Sequence, residues 1–176
     1  MPAPTVQVGV VTTADVNNLA TYLDNTRTGI LAIGVRTTNS STTTTSTGIG
    51  VLRLDGIPIA AGHRIEMKTN SIPLHSTVVG DIVRATIYYT TDGSTPTTSS
   101  TALNDAQLSV ANTTFPNTGI TSGTYTPASN QTLSVLLGVS RQSGSGNSQL
   151  LGSAAFPIEL TVVDLGIDTG DVGVDL

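Results

Sequence analysis

The stretch DIVRATIYYTTDGSTPTTSS, residues 81–100, limits what this chain can fold into more than any other. Ile82, Val83, Thr86, Ile87, Tyr88, Tyr89, Thr90 and Thr91 are β-branched or aromatic, side chains that suit a pleated, half-buried surface. Asp92-Gly93 then supplies a turn, because aspartate bonds back to its local backbone and glycine takes φ > 0 without a Cβ penalty. A strand over 82–91 closed by that turn is the expectation. Tyr88 and Tyr89 are neighbours on it, so one of the two points outward and is a candidate surface contact.

Strand patterns continue on both sides. ILAIGVRT (30–37) reads as a first strand bent at Gly34, and GIGVLRLDGIPI as a strand over about 48–54 ended by Asp55-Gly56, with Pro58 confining the next residues to an edge or turn. HRIEMKTNSI alternates Ile65 and Met67 inward against Arg64, Glu66 and Lys68 outward. Residues 107–113 form a weaker strand, and 114–131 a Pro/Gly/Asn-rich connection with at most a short strand near Tyr125. TLSVLLGVSRQ and NSQLLGSAAF read as a hairpin across Ser143-Gly144-Ser145-Gly146, which accounts for both glycines. In the last strand, PIELTVVDLG, Ile158, Leu160 and Val162 share a face. Roughly seven to nine strands with regular turn signals predict an all-β fold, a single antiparallel β-sandwich of jelly-roll or immunoglobulin-like type.

Two segments break the pattern. Residues 1–12 are Pro-led and alternate loosely, suggesting an extended arm. After Thr13, a candidate N-cap, Val16, Leu19, Ala20 and Leu23 fall at i, i+3, i+4 and i+7, the stripe of a short amphipathic helix. Asp15 suits its first turn, and Asn25 and Gly29 offer a stop. Residues 1–29 therefore read as an arm and helix that either packs on its own domain or attaches it elsewhere through Val16, Leu19 and Leu23. The second segment, TTNSSTTTTSTG (37–48), contains no apolar residue. It reads as a loop or linker, as an outward hydroxyl-rich surface, or as a segment docked on a neighbouring subunit. The domain limits are then 30–166 for the sandwich and 167–176 for an Asp/Gly-rich tail.

Composition narrows the function classes. Charged residues make up 11% of the chain and the net charge is −5, with Lys and Arg scattered singly, so a nucleic-acid partner is not expected. No apolar run reaches the roughly 18–20 residues of a membrane span, and MPAPTVQVGVV lacks the basic region and apolar core of a signal peptide. There is no cysteine, hence no disulfide or thiolate metal site. Ser and Thr together form about a quarter of the chain, well above usual usage, which fits outward strand faces carrying threonine.

No residue pattern points to catalysis or a cofactor. His63 and His75 stand in separate segments without a partner at ligand spacing, and read as surface or interface histidines. No G-x-S-x-G elbow, P-loop or dinucleotide fingerprint occurs. Glu66, beside Arg64 and Lys68, belongs to a solvated charged face. Asp164, Asp168, Asp171 and Asp175 lie among glycines in DLGIDTGDVGVDL, without EF-hand spacing or a calcium nonapeptide. They read as a solvated tail or one reaching onto a neighbour. The chain is expected not to be an enzyme.

IYYTTDGSTPTTSS (87–100) resembles the strand-turn signature of the chitobiase/β-hexosaminidase C-terminal type of immunoglobulin-like module, an accessory sandwich that implies no catalytic residue. VTTADVNNLATYLDNTRTGI resembles the N-terminal helix of small virion proteins of tailed actinobacterial phages. GVLRLDGIPIAAGHRIEMKT and STVVGDIVRATIYYTTDGSTPTTSS, with the closing ELTVVDLG, are similar to sandwich domains of their minor tail proteins. That resemblance implies a virion structural protein, a minor tail, tail-tip or fibre protein assembled in the bacterial host cytoplasm. Its partners would be other virion proteins of tail or capsid and further copies of itself, a trimer above all. A capsid decoration protein or head fibre is the alternative. A carbohydrate-binding accessory module, contacting a host-surface glycan through Tyr88 or Tyr89, is a third.

Overall fold

The structure, a computed structural model, describes residues 28–170. Within them every regular element is a strand: β1 (Gly29–Arg36), β2 (Ile49–Ile59), β3 (His63–Thr69), β4 (Ile72–Ser76), β5 (Ile82–Thr90), β6 (Thr101–Ser109), β7 (Asn117–Gly119), β8 (Ser122–Tyr125), β9 (Gln131–Ser143), β10 (Ser148–Leu150) and β11 (Ile158–Ile167). No helix occurs among the described residues. The helix expected after Thr13, with Val16, Leu19 and Leu23, lies outside them.

All strand pairing between these elements is antiparallel, in three sheets: β2-β9-β5-β6, β1-β11-β3-β8 and β10-β4-β7. The last two are halves of one kinked layer. Only Asn70 and Ser71 separate β3 from β4, only Ile120 and Thr121 separate β7 from β8, and β8 pairs with β3 while β7 pairs with β4. Across the kink the Thr69 N–H donates to the Thr121 carbonyl (2.9 Å), and the Thr121 N–H donates back to Thr69 Oγ1 (3.1 Å). With β3/β4, β7/β8 and β10/β11 each taken as one kinked strand, the layers run first-eighth-third-sixth and second-seventh-fourth-fifth. With residues 151–157 joining β10 to β11, that order matches the one a double-sheet jelly roll has.

The core lies between the layers and is built by alternation in β3 and β11, while β9 is buried continuously from residue 133 to 140. Ile65 and Met67 of β3 and Ile158, Leu160 and Val162 of β11 meet Val83, Ala85 and Ile87 of β5 and Leu133, Val135, Leu137 and Val139 of β9, all buried. Alternate side chains of a strand share a face, so one period-2 run in each strand suffices to fill it. The inward and outward sets expected for β3 and β11 are the ones observed.

Four local expectations are corrected. Asp55-Gly56 does not end β2: Gly56 (φ +68°) sits where the register slips between Leu54 and Ile57, a bulge inside one edge strand that also accommodates Pro58. The weak strand expected over 107–113 starts earlier, since β6 spans Thr101–Ser109. The hairpin expected across Ser143–Gly146 does not form. β9 pairs with β2 and β5, whereas β10 pairs with β4 in the opposite layer, so this segment crosses between sheets. Finally, the hydroxyl-rich 37–48 run docks on its own chain. Thr43 exchanges backbone bonds with Ser148 (2.8 and 2.9 Å), the Ser40 N–H donates to the Leu150 carbonyl (2.9 Å), and the Leu150 N–H donates to Ser40 Oγ (3.0 Å). Ser40 and Thr43 are buried there.

Candidate functional site

At one end of the sandwich, β5 runs out into the Asp92-Gly93 turn. The Ser94 N–H (2.9 Å) and Ser94 Oγ (2.6 Å) both donate to Asp92 Oδ1, and these bonds hold the Asp92 carboxyl below the usual carboxylate range. Thr90 Oγ1 donates to the Ser94 carbonyl (2.6 Å), and Gly93, at φ +78°, donates its N–H to the Thr132 carbonyl (3.0 Å). The expected turn is therefore present, but a loop over residues 91–100 comes after it before β6 begins.

Two open depressions flank this turn, each of about 370 Å3. One is lined by Tyr89, Thr90, Thr91, Asp92, Ser99, Ser100 and Thr101. The other is lined by Thr91, Asp92, Asn130, Gln131 and Thr132. Tyr89 points to the core side of β5 and meets Tyr125 ring to ring at 5.3 Å between centroids, tilted by 44°. Burial, with Tyr125 beside it, raises the Tyr89 hydroxyl above its ordinary pKa. Tyr125 in turn donates its OH to Gln131 Oε1 (2.7 Å). Tyr88 takes the opposite face and is half-buried over Gly138, where any Cβ would press on its ring. The two tyrosines therefore alternate as expected, and Tyr89 rather than Tyr88 lines a depression.

Two buried polar pairs escaped the sequence reading. His63, expected at the surface, is 1% exposed, and its Nδ1 lies 2.9 and 2.8 Å from the two carboxylate oxygens of Asp164, itself 3% exposed. Asp164 Oδ1 also accepts the Gly166 N–H (2.8 Å), at a bulge of β11 where Gly166 has φ +92°. Asp164 is thus part of the interior and not of the tail. The pair faces no hydroxyl nucleophile, and His63 Nε2 is buried without a partner. Asp81 accepts hydrogen bonds from Ser76 Oγ (2.5 Å), Ser145 N–H (3.0 Å) and Gly146 N–H (2.8 Å). Burial by itself would raise its carboxyl. The bonds from Ser76, Ser145 and Gly146, with the Arg141 guanidinium nearby, outweigh burial and hold it below the usual range. A Cβ at Gly144 (φ +105°) would overlap that carboxylate, and one at Gly146 would crowd it and Ser76 Oγ. These contacts, not a hairpin, require the two glycines.

His75, on β4, is half-buried, and its Nε2 lies 3.0 Å from the Thr113 carbonyl. Asp168 accepts Thr126 Oγ1 (2.7 Å) and the Gly170 N–H (3.1 Å), while Asp171 and Asp175 lie outside the described residues. Among the described residues no three His, Asp or Glu side chains gather as metal ligands, and no helix is long and apolar enough to cross a membrane.

Exposed apolar side chains recur along one pair of neighbouring strands. Among the described residues β1 pairs with β11 alone and so forms a sheet edge, and Ile30, Ile33 and Val35 are 67, 53 and 51% exposed along it. Leu165 and Ile167 of β11 are exposed as well. The next strand across the same layer, β3, turns Arg64, Glu66 and Lys68 outward, with Lys68 Nζ 2.6 Å from Glu66 Oε2. The edge side of this sheet face is therefore largely aliphatic, interrupted by Glu159 and Thr161 of β11 opposite Val35 and Ile33, and the β3 side is charged.

Comparison with known proteins gives one family match, to the model described as Fn3 associated, over residues 78–131. The span contains β5 to β8 and the whole 87–100 signature, and is less than half of the chain. No curated protein matches significantly. Among solved structures, the Eiger TNF from S. frugiperda is similar at 12% identity and TM-score 0.39, covering 85% of this chain and all of that one. The infectious bursal disease virus VP2 subviral particle is similar at 15% identity and TM-score 0.38, covering 93% of this chain and 42% of that one. The CBM22-1 and GH10 modules of Clostridium thermocellum endo-1,4-β-D-xylanase 10B, solved with xylohexaose, are similar at 8% identity and TM-score 0.34, covering 87% and 29%. All three superpose below a TM-score of 0.5, so the jelly-roll order stands on the chain's own strand pairing.

Proposed function

We propose that this chain is a structural component of a tailed-phage virion, a minor tail, tail-tip or fibre protein that works by assembly and surface presentation rather than by catalysis. The observation that carries the assembly part is the aliphatic edge of the jelly roll. A strand edge offers unpaired N–H and C=O groups to another chain, and proteins that stay monomeric usually blunt it with lysine, proline or a cover. β1 has neither lysine nor proline, has its only charge at Arg36, and exposes Ile30, Ile33 and Val35 beside Leu165 and Ile167. Exposed apolar groups gathered in one place mark an interaction surface, whereas single ones such as Phe115 or Phe156 need no explanation.

The phage part rests on the resemblance of the opening block, of residues 50–69 and 76–100 and of the closing 159–166 run to virion proteins. Jelly rolls are one of the architectures that viral shells use, which agrees with this reading at the level of fold analogy only. The buried His63–Asp164 pair does not itself argue for catalysis, since it is sealed in the core at 1 and 3% exposure, out of reach of a substrate. A capsid decoration protein or head fibre would use the same edge against the head lattice. Quantitative mass spectrometry of purified particles against the major capsid protein separates the two. A handful of copies in a multiple of three or six is expected for the tail, and hundreds would move the protein to the head. Absence from particles would overturn the reading.

A further inference from the structure

We infer that the two depressions on either side of Asp92 form one binding site for a neutral saccharide, a ligand carrying adjacent hydroxyl groups. The inference goes beyond the assembly reading and stands whether or not the domain is built into a particle. It comes from which hydrogen-bonding atoms at this end of the sandwich are already used and which are left over.

The two bonds that Asp92 receives from the Ser94 N–H and hydroxyl both end on Oδ1, so neither occupies Oδ2, and Asp92 lines both depressions. Asn130 and Gln131 have their side-chain oxygens occupied, one by the Ala61 N–H (2.9 Å) and the other by the Tyr125 hydroxyl (2.7 Å). With its oxygen held by one bond, each amide still carries an NH2 able to donate and a second oxygen lone pair able to accept. The Asp92–Thr132 bridge and the Gly93 N–H to Thr132 carbonyl bond hold this strand start against the turn. Two amides held by their oxygens therefore line the same depression as the Asp92 carboxylate. A carboxylate oxygen that accepts from one hydroxyl, with an amide N–H that donates to its neighbour, complements a vicinal diol.

The remaining lining groups fit the same class. The hydroxyls of Thr91, Ser99, Thr101 and Thr132 rotate to donate or accept, and Tyr89 adds ring surface to the first depression. No Lys or Arg lines either depression, and Asp92 brings a negative charge, so phosphate, sulfate and acidic sugars are disfavoured. Apart from the Tyr89 ring there is no large apolar side chain to receive a lipid.

The test uses the full chain. Neutral oligosaccharides of hexose, pentose and N-acetylhexosamine units, with uronic-acid and sulfated counterparts, are screened by saturation-transfer NMR and the hits titrated by calorimetry. Saturable binding of at least one neutral oligosaccharide is expected. Asp92→Asn, which keeps a turn-forming side chain, should weaken it roughly tenfold or more through loss of a charged acceptor. Gln131→Ala should also weaken it, while Thr118→Ala on β7 should leave it unchanged. Circular dichroism checks the fold of each variant, and Asp92→Asn alone decides if Gln131→Ala does not fold. No saturable binding by any neutral sugar, unchanged affinity in folded Asp92→Asn, or preference for the anionic counterparts would each overturn the inference.

Discussion

Asp81 ties three segments together, and its chemistry makes stability depend on pH. Its carboxylate is the shared acceptor for Ser76 Oγ, Ser145 N–H and Gly146 N–H. Because it titrates lower in the folded chain than in the unfolded one, its contribution is complete above the unfolded value near 4 and is lost as pH falls through the folded value. Asp105 acts in the same sense: burial opposes its ionisation, but bonds from Arg84 and Gln107 outweigh that. Urea unfolding should therefore show stability falling below about pH 4, with a shallower acid limb in Asp81→Asn. At pH 7 that variant should be about 1–3 kcal/mol less stable, since an amide cannot accept from all three donors. Asp164→Ala should cost about 2 kcal/mol or more, because the His63 Nδ1 and the Gly166 N–H lose their partner inside the core. A loss below about half a kilocalorie, the range of an ordinary surface change, would show that water replaces the carboxylate there.

At the level of elements, the edge strand β1 and the β9–β10 crossing carry the testable consequences. Ile33 is exposed and pairs with Thr161 on β11, so Ile33→Lys removes aliphatic surface without opening the core. Sedimentation velocity should find the wild type self-associated, as a trimer, and the variant weakened at least tenfold, with thermal stability within about half a kilocalorie of wild type. A wild type that stays monomeric at high concentration would remove this edge from the assembly reading. In the crossing, Gly144→Ala places a Cβ against the Asp81 carboxylate at a positive φ. It should destabilise by more than about 1 kcal/mol. Had the segment been a free hairpin turn, alanine there would have met no neighbouring side chain.

The whole molecule has one core fed by both layers. Buried aliphatics of β3, β4, β10 and β11 and of β2, β5 and β9 form a single cluster. Leu137 sits fully buried on β9, the strand that pairs with β2 on one side and β5 on the other. Leu137→Ala should cost about 2–5 kcal/mol. Unfolding should stay a single transition, seen alike by far-UV dichroism and by the fluorescence of the tyrosines, since the chain has no tryptophan. Two separated transitions would mean that the kinked layer melts apart from the β2-β9-β5-β6 layer.

The sequence by itself determined which residues form strands and which faces of those strands turn inward. Ile65 and Met67, or Ile158, Leu160 and Val162, are legible because a strand's side chains alternate with a period fixed by backbone geometry. The all-β class and the Asp92 turn come from the same local rules. The tertiary structure decided what depends on partners distant in the chain. A local run cannot say that β10 pairs with β4 rather than with β9, since a Gly-Ser-Gly segment serves a hairpin and a crossing equally well. Nor can it show that 101 residues apart His63 meets Asp164, because each alone looks like a surface residue. Buried polar pairs satisfy each other only after the fold brings them together. The alternation of Tyr88 and Tyr89 was legible, but not that the inward one, Tyr89, would line a depression. The Asn130 and Gln131 amides beside Asp92 were not, since what orients them comes from Ala61 and Tyr125.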